Sequence, residues 1–178
     1  MPRLIMATLV ALCLIGNPSL GHAESRSLIP QLEKFRPFLG KTHRGTFSDS
    51  TQANPVVDIS RWERALSGSA VRIMHSLNKG QYGGETIIFW DPSAEQVRYY
   101  YFTTAGFYTQ GSAEFDGANF VSTEKVTGNQ DGIDEVKATA VLKPDGLTVN
   151  SQYLKQGEVI STSSANYVVD NSAEVILP

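Results

Sequence analysis

Turn signals recur at short, regular intervals between Ser67 and Gly157, and that beat constrains the fold more than any other property of the chain. Ser67-Gly68, Asn78-Lys79-Gly80, Asp91-Pro92, Thr104-Ala105-Gly106, Asp116-Gly117, Lys143-Pro144-Asp145-Gly146 and Lys155-Gln156-Gly157 punctuate it. The stretches between them are strand-length and rich in Val, Ile, Thr, Tyr and Phe. The one long interval, residues 118–142, is broken by a polar loop at 127–132, so the spacing leaves no room for crossover helices and predicts successive β-hairpins closing into a barrel or sandwich.

A first strand is expected around residues 41–47. Further strands are expected at 56–66, 70–77, 84–90, 96–102, 107–115, 119–126, 134–142, 147–154 and 159–167. Alternation is clean in several of them. Val136, Ala138, Ala140 and Leu142 share one face while Glu135 and Lys137 share the other, as in a strand with one side to a core. Residues 28–35 read as a short helix with Leu28, Leu32 and Phe35 on one face, ended by Pro37. Residues 48–55 are polar and turn-rich, and 127–132 form the longest interior loop, a candidate rim or lid. The expected fold is all-β: a closed antiparallel meander of about ten strands with one short N-terminal helix, closed because an open sheet of that size leaves long edges.

The first residues stand apart from this pattern. Arg3 precedes an apolar run from Leu4 to Ile15 that is too short for a membrane span, and Gly21-His22-Ala23 offers small residues where a signal peptidase reads. Residues 1–23 are therefore expected to be a signal peptide and 24–178 a single exported domain, periplasmic or secreted. Leu12 before Cys13 spoils a lipobox, and Cys13 is the chain's only cysteine. The mature form then has no thiol, disulfide or thiolate metal site and relies on core burial. Net charge is −3 with scattered basic residues, which points to neither nucleic acid nor an anionic membrane surface. No stable membrane insertion is expected, and a homodimer stays open.

The most aromatic stretch is residues 83–92 followed by 98–102. Pairing Trp90 with Val97 places Ile88 opposite Tyr99 and Thr86 opposite Tyr101. Glu85, Ile87 and Phe89 then share the other face with Arg98, Tyr100 and Phe102. That face reads either as a pocket wall carrying an acid and a phenol or as ordinary hairpin packing.

Ala105-Gly106-Phe107 with Gly111 and Asp116-Gly117, behind the Glu85 strand and preceded by Phe38-Leu39-Gly40-Lys41-Thr42-His43-Arg44-Gly45, resembles a known pattern. It is similar to the lipocalin-like (calycin-like) ten-stranded barrels of the DUF1579 and nitrobindin type. Those families open on a Leu-Gly-x-Trp-x-Gly-like segment, and this chain has His43 where the tryptophan is expected. The resemblance implies the barrel across most of the mature chain. Nitrobindin-type barrels hold haem iron through a histidine in a late strand, and no histidine follows His75 here, so the resemblance does not bring haem with it.

His75 lies on one strand face with Val71, Ile73 and Leu77, where an imidazole serves as a core hydrogen-bonder or as a pocket base. Arg72, His75, Glu85 and Tyr100 are the candidate ligand-binding residues. Strict alternation puts Arg72 opposite His75, so a twist or bulge near Gly83-Gly84 is needed to bring both to one site. Arg61-Trp62-Glu63-Arg64 reads as solvated barrel exterior. No histidine or carboxylate cluster has metal-ligand spacing, and no Gly-x-Ser-x-Gly, P-loop or dinucleotide fingerprint is present, so no cofactor or metal is expected.

The leading functional reading is a binding module that holds a small apolar or amphiphilic molecule. Its late strands, with Ser151, Ser161, Thr162 and Ser163, would form the hydrogen-bonding wall. Two other classes compete with it. One is a metal-free isomerase, cyclase or hydratase using His75 and Glu85 as acid and base. The other is a filled barrel acting as a partner-binding envelope protein.

Overall fold

The computed structural model describes residues 27–178, so the expected signal peptide lies outside the described residues. The strands are β1 (Thr42–Phe47), β2 (Val57–Ala65), β3 (Ala70–Leu77), β4 (Tyr82–Asp91), β5 (Gln96–Thr103), β6 (Tyr108–Asp116), β7 (Asn119–Thr127), β8 (Glu135–Lys143), β9 (Gly146–Lys155) and β10 (Glu158–Val169). Each pairs antiparallel with its sequence neighbour, and β1 pairs with β10, so all ten close into one barrel. Closure satisfies the backbone groups that an open meander would leave on two edges.

The hairpins follow local chemistry. Asp116 pairs with Asn119, so the β6–β7 loop is Gly117-Ala118, with Gly117 at φ +61°. A glycine at the first central position matches the twist of the flanking strands. The β4–β5 register places Trp90 on Val97, Ile88 on Tyr99 and Thr86 on Tyr101, as the sequence predicts.

The helix differs from expectation. Residues Pro30–Phe38 form a 3₁₀ helix, with Pro37 inside it rather than ending it. Leu32, Phe35 and Phe38 are buried at intervals of three, which is one face of a helix with three residues per turn. The helix plugs the end of the barrel where β2 finishes and β3 begins, tied there by Ile29 N–H donating to the Gly68 carbonyl at 3.0 Å. Phe35 meets Phe115 and Phe120 at 5.1 Å, and Trp62 packs on Phe38 at 5.3 Å. Trp62 is thus inside the barrel at 7% exposure, while Arg61, Glu63 and the exposed Arg64 take the exterior place expected for the whole segment.

After β10 the chain turns back along the outside. The Ile176 N–H donates to Ser76 Oγ at 3.0 Å, and the tail covers the outer face of β3 near Gly83.

Candidate functional site

The inner face is hollow above the helical plug. A cavity of about 520 Å³ runs toward the opposite end, where Phe47, Tyr82, Phe107, Asn129 and Ile133 ring the mouth. The loop expected to be a rim does form one. Asn129 Oδ1 accepts from the Asp131 and Ile133 N–H groups, and Gln156 N–H donates to Asp134 Oδ2 at 2.8 Å.

Polarity is distributed opposite to expectation. The late wall is mostly apolar, with Val136, Ala138, Ala140, Leu147 and Val149 on the cavity and Ser151 as an exception. Thr162 and Ser163 border a second, separate pocket together with Ser151, and Ser163 meets Tyr153 Oη at 3.3 Å. The polar groups come mainly from β2 to β7. Asp58 on β2 holds two donors: His75 Nδ1 at 2.8 Å and Tyr167 Oη at 2.9 Å. His75 Nε2 lies 2.7 Å from Tyr101 Oη, and Tyr101 Oη lies 2.6 Å from Tyr82 Oη. An unbroken chain of hydrogen bonds therefore runs from a buried carboxylate to a phenol at the mouth. Thr109 donates to Glu124 on the adjoining wall.

Register explains the assembly. Asp58 pairs with Leu77 and Ser60 with His75, so Asp58 and His75 are diagonal neighbours on adjacent strands. Tyr101 pairs with Thr86, and both face inward. Burial raises the affinity of Tyr101, Tyr82 and Tyr167 for their protons, and the Asp58 charge adds to the effect at Tyr101 and Tyr167. Burial likewise pushes the Glu124 carboxyl up, offset in part by Thr109. These phenols are neutral donors and acceptors.

Of the four residues singled out in the sequence, His75 alone lines this cavity. Arg72 and Glu85 face outward and pair with each other at 2.7 Å, with Glu63 at 3.8 Å from Arg72. Tyr100 also faces outward, in an exterior ladder of Phe89, Tyr100, Phe102 and Tyr108 with ring centroids 6.2–6.3 Å apart. The β3–β4 register runs without a shift through Gly83 and Gly84, so no bulge turns Arg72 or Glu85 inward.

Asp58, Tyr82, Tyr101 and Tyr167 went unrecognised in the sequence. The signal that could have found Tyr101 was the Thr86–Tyr101 pairing, had that face been taken as the inner one. At the floor, His43 is 1% exposed beside Phe38 and Trp62, with Nδ1 lacking a hydrogen-bond partner. Burial, helped by the Lys41 charge, holds its pKa below the ordinary imidazole value. Among the described residues no group of three or more His, Cys, Asp or Glu side chains could hold a metal ion.

Fold and cavity define the class: a closed ten-strand antiparallel barrel with a hollow, mostly apolar interior and one polar chain. Among solved structures the chain is similar to that of Rv2717c from M. tuberculosis, with a TM-score of 0.59 and 11% identity, covering 81% of this chain and 99% of that one. At that identity the likeness is one of fold. No family model and no curated protein matches the sequence.

Proposed function

We propose that this chain is an exported binding protein of the lipocalin-like, DUF1579 and nitrobindin type that holds one small amphiphilic molecule in its barrel. The cavity of about 520 Å³ carries the reading, because it has the size of a small-molecule site and pairs apolar walls with a few convergent polar groups. The apolar body of the ligand would rest on Val136, Ala140 and Val149, and its polar head on the Tyr82–Tyr101–His75 chain. A filled barrel serving only as a partner-binding surface does not fit an interior of that volume.

Native mass spectrometry of the full chain, purified from its exporting host, tests the proposal. A retained small molecule is expected, and it should disappear in Ala138→Phe, which fills the cavity from the late wall. A folded wild-type protein that carries nothing and takes up no apolar probe rejects the reading.

The Asp58–His75 pair supports a second reading. A carboxylate on Nδ1 orients an imidazole as a general base, so a metal-free isomerase, cyclase or hydratase would use His75 with Asp58, Glu85 being on the outside. Conversion of the retained molecule, lost in His75→Gln, separates this reading from simple binding.

A further inference from the structure

The hydrogen bonds of the polar chain have a direction, and it follows from counting protons. Asp58 accepts from Tyr167 Oη at 2.9 Å, and its other oxygen faces His75 Nδ1 at 2.8 Å. A carboxylate there fixes the imidazole proton on Nδ1. In the neutral ring Nε2 is then a lone-pair acceptor. Its neighbour at 2.7 Å is Tyr101 Oη, which must donate its single proton to it. With that proton committed, the 2.6 Å contact between Tyr101 and Tyr82 can hold only the proton of Tyr82. The Thr103 hydroxyl near the mouth donates to the Phe107 carbonyl at 2.8 Å, so its proton is committed elsewhere. Tyr82, which lines the cavity, therefore turns a lone pair and no proton toward a ligand.

Protonating His75 at Nε2 reverses the two links beyond it and leaves both donors to Asp58 in place. Nε2–H donates to Tyr101, Tyr101 donates to Tyr82, and the Tyr82 O–H is freed for an acceptor, a ligand head competing for it with Thr103 Oγ1. We infer that the Tyr82–Tyr101–His75–Asp58 chain makes the cavity a site for a ligand whose polar head donates a hydrogen bond when His75 is neutral, and for one whose head only accepts when His75 is protonated. This rests on the binding reading above and deepens it. An alcohol, phenol or amide N–H head binds without proton exchange, whereas a ketone or ester head binds with uptake of one proton at His75. The groups that face His75 are Asp58 from β2, Tyr82 from β4, Tyr101 from β5 and, through Asp58, Tyr167 from β10. Glu124 on β7 and Tyr153 on β9 share the cavity. Of these, Glu124 is a second candidate to take the proton and has to be controlled.

Three probes of equal body test this on the full chain: naphthalene, 1-naphthol and 1-acetonaphthone. Calorimetric titrations run from pH 8 to 5.5 in two buffers of different ionisation enthalpy. Acetonaphthone should bind at least about fivefold tighter at the lower pH, bounded by about tenfold per pH unit for one linked proton, with uptake approaching one proton. Naphthol, whose hydroxyl serves either orientation, and naphthalene should change less than about twofold. Tyr82→Phe should abolish the acetonaphthone dependence and keep naphthalene binding, while Glu124→Gln should leave the dependence intact. Binding of naphthalene with a flat, proton-neutral acetonaphthone profile overturns the inference and leaves the binding reading standing. So does a dependence that survives Tyr82→Phe or vanishes in Glu124→Gln. Failure of all three probes to bind overturns the binding reading, and the inference with it.

Discussion

Three inward-facing glycines stand beneath tyrosine rings. A Cβ at Gly45 would lie 2.4 Å from the Tyr167 ring, one at Gly84 would lie 2.5 Å from Tyr101, and one at Gly111 would lie 2.8 Å from Tyr99. The bare backbone there lets the rings lie flat against the wall and reach across it, a device that also supports strand curvature. Gly45→Ala should displace Tyr167 from Asp58 and cost about 1–3 kcal/mol as an overpacked core does, read from the shift in denaturant midpoint. The polar residues divide by face. Glu85→Ala breaks a half-exposed pair and should change stability by about 0–1 kcal/mol with probe binding intact. His75→Ala should cost about 1–3 kcal/mol and weaken binding, because Asp58 and Tyr101 lose a partner; equal effects of the two variants would contradict this division.

His43 gives a pH prediction of definite sign. Its folded-state pKa lies below the ordinary imidazole value of 6.5, so the unfolded chain binds the proton more readily. The stability tied to neutral His43 is fully present above that value and is lost as pH falls below it. Glu124 acts in the opposite sense, since its raised pKa favours the folded state at low pH and that contribution is lost as pH rises above 4.5. Thermal melts between pH 7 and 5 should fall more steeply in Glu124→Gln than in the parent and less steeply in His43→Gln.

At the scale of elements, the 3₁₀ helix is a stopper. Leu32 and Phe35 are wholly buried and Phe38 nearly so, against Trp62, Phe115 and Phe120, and Lys34 sits 4.7 Å over the Phe115 ring. Its periodicity of three is what allows Pro37 to stay inside, because a single missing N–H in so short a helix removes only one bond. Phe35→Ala should cost about 3–5 kcal/mol, as large-to-small changes in packed cores do, and should open the cavity at its closed end. A thermal transition unchanged by that substitution would show that the plug is dispensable. The barrel's own seam, β1 on β10, is reinforced below by Asp170, whose carboxyl Ser172 and Arg44 hold down at a pKa of about 2.

For the whole molecule, closure joins the strand nearest the N-terminus to the last, with His43 opposite Val169. Such pairing of distant segments must follow a large loss of chain entropy, so refolding should take milliseconds to seconds and not microseconds. Stopped-flow refolding monitored by tryptophan fluorescence checks this, since Trp62 enters the core only when the plug meets the barrel. A microsecond phase carrying the full amplitude would mean that the core forms before the seam.

Strand positions, hairpin turns and the β4–β5 register were legible in the sequence because each depends on neighbours within about ten residues: turn chemistry, alternation and cross-strand fit. The inner face was not. On β4 and β5 both faces carry large apolar or aromatic side chains, Ile88 and Tyr99 on one and Phe89 and Tyr100 on the other, so alternation locates two faces without ranking them. Only closure ranks them, by forcing one face of every strand onto a shared interior. Closure also decided the site, since Asp58, His75, Tyr101 and Tyr167 come from β2, β3, β5 and β10, with Asp58 and Tyr167 109 residues apart. A ten-strand antiparallel meander could be read from local pattern alone, but the side chains that meet inside it followed from closure, because local pairing energies fix strands while long-range pairing turns one side of a sheet into a cavity.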